Sequence, residues 1–291
     1  MRELGARQAM DSAEHETVLP LVGHGLGHGP LDLDDDDDSG LMPAHPASTL
    51  IIYHEGTGAE RSPVLMVRRS AAMKFAAGAA VFPGGRVDPD DHALAVAVAP
   101  HLPVDDGAAR IAAIRETLEE TGLLLGLRHD GDHQRTIALR EGLHAGESLS
   151  MLLRDVRAEF DLDALVAFSR WRPNFEHSRL FDTRFYLTSI SGDLPELSVS
   201  EAENSHIFWI DPSTALAKAQ NDELQIIFPT RRNLERLAIA RRFHDAVTSA
   251  KAFPPKRIIP FVADVGGEMH LCIREDCGYP VTSEAVTTAL R

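Results

Sequence analysis

Apolar positions recur along this chain with two periods, and the sharper one lies between Ala108 and Leu125. At about 100° per residue, Ile111, Ile114, Leu118 and Gly122 share one side of a helix, while Glu116, Glu119 and Glu120 share another. Gly122 supplies the helix end, because glycine reaches positive φ without a Cβ clash. Strand-like runs occur at Ser48 to Tyr53 and Val64 to Val67, which read as neighbours in a sheet. Val81 to Gly85 reads as a strand broken by Pro83, Gly84 and Gly85 into a tight turn. Further strands are expected at Phe168 to Pro173, Asp182 to Leu187 and His206 to Ile210.

Helical spacing reappears at Glu147 to Phe160, through Leu149, Leu152, Leu153 and Val156, after a polar turn at His129 to His133. Asp211-Pro212-Ser213 has the signals of a helix start. From Phe228 a helix is expected to run to about Lys251, carrying Leu234, Leu237, Ala238 and Phe243 inward. Val262 and Met269 to Ile273 read as a late hairpin about Gly266-Gly267. Residues 1–47 read as a disordered tail, with Gly23 to Pro30 rich in Gly and His and with five successive acids from Asp34 to Asp38.

The acidic side of the helix is where chemistry enters. Glu116 and Glu120 stand at i and i+4, where like charges oppose the helix unless something neutralises them. A solvated acidic face is the plain reading; a divalent metal is the functional one. Arg115 stands four residues before Glu119, spaced to pair with it, and the Gly84-Gly85 turn lets backbone approach a ligand closely. Arg69 and Lys74 bring positive charge beside the acids and could hold phosphates. Arg184 could present its charge to the same site or pair with Asp182.

Composition limits the partners. With 291 residues and 44% hydrophobic content, the chain can bury a sizeable core. A net charge of −15 argues against a general binder of nucleic acid or anionic membrane. No run has transmembrane length, and no basic start leads into an apolar stretch, so a soluble, cytoplasmic protein is expected. Cys272 and Cys277 have no further cysteine partners and read as reduced structural thiols. His206, His244 and His270 are scattered and read as packing or surface residues.

Gly85, Asp91 and Arg115-Glu116-x-x-Glu119-Glu120-x-Gly122 together resemble the Nudix hydrolase signature, G-x5-E-x7-R-E-U-x-E-E-x-G-U. Asp91 stands where that pattern has Glu, Thr117 where it has an aliphatic residue, and residues 92–114 fill a gap that is usually seven long. The stretch from Leu65 to Gly85 is similar to the one marking the coenzyme A diphosphatase branch, with Arg69, Ser70, Gly78, Phe82, Pro83, Gly84 and Gly85 in register. Val67 and Lys74 depart from it. The runs at 168–173 and 182–187 resemble stretches of the longer enzymes of that branch.

The resemblance implies an α/β fold, a Nudix-fold α/β/α sandwich with a mixed sheet, plus a helical insertion and a C-terminal extension. Its hydrolase domain would cover 48–282, with insertions at 92–107 and about 128–165, and 283–291 as a C-terminal tail. It implies hydrolysis of a diphosphate bond in a nucleotide-linked substrate, coenzyme A or an acyl-coenzyme A first. Another nucleoside diphosphate derivative and a non-catalytic binding protein are the alternatives. Mg²⁺ or Mn²⁺ would sit on Glu116 and Glu120, with Glu119 sharing the metal or held by Arg115. Glu119 or Glu203 would be the base; Arg69, Lys74, Gly84, Gly85 and Arg184 would meet substrate, with Arg115 and Gly122 as support. The substrate is the required partner, and a homodimer is the assembly left open.

Overall fold

The computed structural model describes residues 37–56, 60–70, 78–130, 133–175, 180–195, 197 and 204–289. Its centre is β1 (His45–Glu55), which lies parallel to β8 (Phe181–Ser191) along its whole length. The other edge of β1 is shared. β2 (Val64–Arg69) pairs antiparallel with it at Tyr53, and β4 (Gly84–Arg86) pairs with Ala47, Ser48 and Thr49. Between them the Leu50 amide donates to the Pro83 carbonyl at 2.9 Å. β3 (Ala80–Val81) and β9 (Asn204–Ile210) add to β2, while β7 (Val166–Trp171) and β10 (Arg257–Ile258) extend the sheet beyond β8. Parallel and antiparallel pairs coexist, so the eight-stranded sheet is mixed.

Both faces of this sheet are covered, which follows from the period of two along β1. Leu50 and Ile52 join a core with helices α1 (Pro89–Val98), α2 (Val104–Thr121), α3 (His133–His144) and α4 (Leu149–Leu152). Ile51 and Tyr53 join the opposite core, with α5 (Pro212–Gln220), α6 (Phe228–Ile239) and α7 (Phe243–Ala252). The result is an α/β/α sandwich. Ile111, Ile114 and Leu118 of α2 are buried against β1, as their spacing requires. Among the described residues no helix is long and apolar enough to cross a membrane.

Several expectations need correction. The segment 147–160 is not one helix: α4 is one turn, and β6 (Ala158–Phe160) pairs with β5 (Leu127–His129). The longer helix, α3, comes earlier, and Gly146 at φ +83° separates it from α4. The helix from Phe228 is two helices, because Ala240 is extended and Asp245 accepts from the amides of Arg241 and Arg242 at the new start. The expected tails are also shorter. Asp38 pairs with Arg257 at 2.7 Å, β1 already begins at His45, and residues 1–36 lie outside the described part. At the other end, β13 (Ser283–Ala285) pairs with β12 (Glu268–Cys272) and leads into α8 (Val286–Ala289), whose Val286 and Ala289 are buried.

The late hairpin is where it was expected: β11 (Phe261–Val265) pairs with β12 across Gly266 and Gly267, at φ +67° and +94°. Two successive positive φ values are what a two-residue hairpin of the mirror-image type needs. Asp211 caps α5 through the amides of Ser213 and Thr214, with Pro212 in the first turn. Cys272 and Cys277 are both buried and free.

Candidate active site

The C-terminal half of α2 lies across the glycine turn of β4. Gly84 has φ +155°, and a Cβ there would come within 2.3 Å of the Ser48 carbonyl oxygen, so only glycine allows β4 to run this close to β1. Its amide donates to Glu120 Oε2 at 3.0 Å. A Cβ on Gly85 would sit 2.4 Å from the carboxyl carbon of Glu116. The two glycines and the two glutamates, one helical turn apart, thus meet in direct contact. Gly122 closes α2 at φ +80°, donating to the Leu118 carbonyl at 2.9 Å.

Glu116 is held from behind. Arg115 donates to Glu116 Oε1 at 2.8 Å, to the Arg86 carbonyl at 2.8 Å, and to both oxygens of Asp91 at 3.1 and 2.8 Å. Burial alone would lower the affinity of this guanidinium for its proton, but the bonds to Asp91 and the charge of Glu116 raise it overall. Arg115 therefore pairs with Asp91 and Glu116 instead of Glu119. The long spacer explains how: residues 89–98 fold as α1, whose N-terminal turn carries Asp91 fully buried to Arg115, while its Oδ2 accepts from the Asp88 amide at 2.8 Å.

Glu120 is the most perturbed acid here. It is 2% exposed, and its carboxyl is pushed up to about 8, by burial first and then by the charge of Glu116. The Asn204 amide, the Gly84 N–H and the charge of Arg69 oppose that rise. Asn204 lies at the start of β9, 1% exposed, its amide near Glu120 but short of full hydrogen-bond geometry with any described residue. Arg69 shares the α2-side face of Leu65 by the period of two along β2, and the register shift between Arg68 and Arg69 sets Asn204 opposite it.

These features fit a divalent cation. A buried acid raised by a neighbouring carboxylate is a seat that positive charge would stabilise, and the glycine turn keeps it open to backbone. Among the described residues, no three His, Cys, Asp or Glu side chains converge on one point. The described residues bring Glu116 and Glu120 together, and a pair of carboxylates is a set that Mg²⁺ can take, completing its shell from water and phosphate. Glu119 is half-buried, and its charge acts on Arg140 of α3.

Arg184 is not brought to the pair. It lies 3.6 Å from Asp106, near the start of α2, and ten residues of helix place that about 15 Å along the axis from Glu116. Asp182, its alternative partner, is taken by Arg170 at 2.7 Å. Lys74 and Glu203 lie outside the described residues. Two neighbours were missed in the sequence. Asn204 directly follows the candidate Glu203 and could have been found by strand position; Arg140 sits on a helix that the periodicity did not reveal.

Comparison with known proteins gives a consistent picture. A family model described as the NUDT19 Nudix domain matches residues 95–237. Nudix hydrolase 7 of Caenorhabditis elegans is 27% identical over 178 residues, covering 60% of this chain and only 55% of that protein. Acyl-coenzyme A diphosphatase NUDT19 of Xenopus laevis is 25% identical over 272 residues, covering 75% of this chain and 71% of that one. The crystal structure of a Nudix hydrolase from Alicyclobacillus acidocaldarius is similar at TM-score 0.58 and 29% identity, covering 71% of this chain and 96% of the other.

Proposed function

Given that the chain belongs to the Nudix hydrolase superfamily, near its coenzyme A diphosphatase branch, we propose that it hydrolyses the diphosphate bond of coenzyme A or an acyl-coenzyme A. The observation that carries this is the buried Glu120 carboxyl beside Glu116 over the Gly84-Gly85 turn. When bound, Mg²⁺ or Mn²⁺ would neutralise phosphate charge and make a water more acidic.

The side chains divide the work. Glu116 and Glu120 would hold the cation, Arg115 fixes Glu116 from behind, and Arg69 with Lys74 would meet the phosphates. Water adds to one phosphorus, the bond from that phosphorus to the bridging oxygen breaks, and the other phosphate leaves with that oxygen. Glu119 or Glu203 takes the proton of the attacking water. From coenzyme A the products are a phosphopantetheine fragment and adenosine 3′,5′-bisphosphate. The substrate is a small molecule met in the cytoplasm, and nothing in the site calls for nucleic acid or membrane.

The test is product analysis of wild type and Glu120→Gln with coenzyme A, an acyl-coenzyme A, ADP-ribose and a dinucleotide, each with Mg²⁺ and with Mn²⁺. Coenzyme A cleavage that disappears in Glu120→Gln is the expected result. Preferential cleavage of ADP-ribose or the dinucleotide moves the substrate to another nucleoside diphosphate derivative. Ligand binding with no turnover across the panel would overturn the catalytic reading.

A further inference from the structure

Helix α3 lies outside the signature, yet it reaches the end of the acidic helix. The last carbonyls of an α-helix lack partners within it. Gly122 serves that of Leu118, which leaves those of Glu119, Glu120 and Thr121. The Glu119 carbonyl accepts from Arg140 Nε and from His144 Nε2, each at 2.9 Å, and the Glu120 carbonyl accepts from Arg140 Nη2 at 3.4 Å. Arg140 and His144 stand at i and i+4, on one face of α3. That face is set by close packing, since a Cβ on Gly142 would fall 2.3 Å from Leu152 of α4. Arg140 also lies within reach of the Glu119 charge.

We propose that Arg140 is a positioning residue for the site: its guanidinium ties the Glu119 and Glu120 carbonyls together and faces the Glu119 carboxylate, fixing how both side chains project. This rests on the reading of Glu116 and Glu120 as a cation seat. A planar fork spans two carbonyls where a lysine ammonium is a point charge, so lysine replaces it only in part. The segment that looks like an insertion thereby helps to build the active site.

The experiment uses the full chain as wild type, Arg140→Ala and Arg140→Lys. It reads Mn²⁺ affinity of the metal-free proteins by titration, thermal midpoint, and kcat and KM on whichever diphosphate wild type cleaves. Arg140→Ala is expected to lose about 10–100-fold in Mn²⁺ affinity and in kcat, the range for residues that orient ligands from behind. KM should stay within about twofold, since uniform substrate binding is untouched. Added methylguanidinium should restore part of the kcat, and Arg140→Lys should fall between. If Arg140→Ala does not fold, a loss of Mn²⁺ affinity in a folded Arg140→Lys supports the proposal and wild-type affinity in it overturns it. Unchanged affinity and kcat in a folded Arg140→Ala would sink this proposal alone. Wild type that binds no Mn²⁺ sinks the cation seat as well.

Discussion

Asp91 grips Arg115 with both carboxylate oxygens, although 23 residues separate them in the chain, and Arg115 in turn holds Glu116. The Arg115 and Asp91 side chains are 8% and 0% exposed. Removing Asp91 takes two of the bonds from a buried guanidinium and leaves it Glu116 and the Arg86 carbonyl, a loss of up to about 3 kcal/mol. Asp91→Ala is therefore expected to lower the urea midpoint strongly and to loosen Glu116. Wild-type stability in that variant would mean that Glu116, Asp88 and the Arg86 carbonyl hold Arg115 without Asp91.

The two glycines of the turn should fail in different ways. At Gly84 an added methyl meets the Ser48 carbonyl at 2.3 Å, a backbone atom that cannot turn away, and the φ of +155° is itself strained for other residues. At Gly85 the methyl meets the carboxylate end of Glu116 at 2.4 Å, which can rotate aside. Gly85→Ala is expected to keep the fold, at a cost of about 1–3 kcal/mol, and to lose most Mn²⁺ affinity and turnover. Gly84→Ala is expected to unfold at distinctly lower urea. Equal midpoints for the two would contradict this difference.

Glu120 makes the metal-free protein sensitive to pH. Its carboxyl titrates near 4.5 when unfolded and is raised to about 8 when folded, by burial and then by Glu116. Between these values the folded state holds more protons than the unfolded one. Stability should then fall as pH rises from about 4.5 to about 8 and level off above, by at most about 1.4 kcal/mol per pH unit for this group. Urea melts in EDTA at several pH values read the slope directly. Glu120→Gln should flatten it, and an equally steep decline in that variant would assign it to other groups.

The sequence made some of this visible and hid the rest for identifiable reasons. Ile111, Ile114, Leu118 and Gly122 disclosed α2 because one helix face and its end are written locally. The hairpin at Gly266-Gly267 was equally local. The grip of Asp91 on Arg115 was hidden by α1, folded into the intervening residues. The break between α6 and α7 escaped because Ala240-Arg241-Arg242 has neither glycine nor proline; the chain turns there through Asp245 and the bond from the Ser62 amide to the Arg241 carbonyl. Helix α3 escaped because few of its positions are buried: Leu139, Gly142 and Leu143. Its contacts to the Glu119 and Glu120 carbonyls are made by polar side chains, which a hydrophobic period does not register.

Arg69 and Arg184 separate two kinds of arginine that look alike in sequence. Arg69 acts on Glu120 through its charge, whereas Arg184 is engaged by Asp106 at 3.6 Å, far along α2. A cation beside the acids can take up phosphate oxygens of a substrate as they arrive. A cation tied to Asp106 serves the packing between β8 and α2. Arg69→Ala is thus expected to raise KM for the diphosphate by about tenfold or more, the loss of one charged contact. Arg184→Ala is expected to leave KM within about twofold and to lower stability by about 1 kcal/mol, as for a partly exposed ion pair. Steady-state kinetics beside urea melts distinguish the two. A larger rise in KM for Arg184→Ala than for Arg69→Ala would reverse the roles and place the substrate along the N-terminal half of α2.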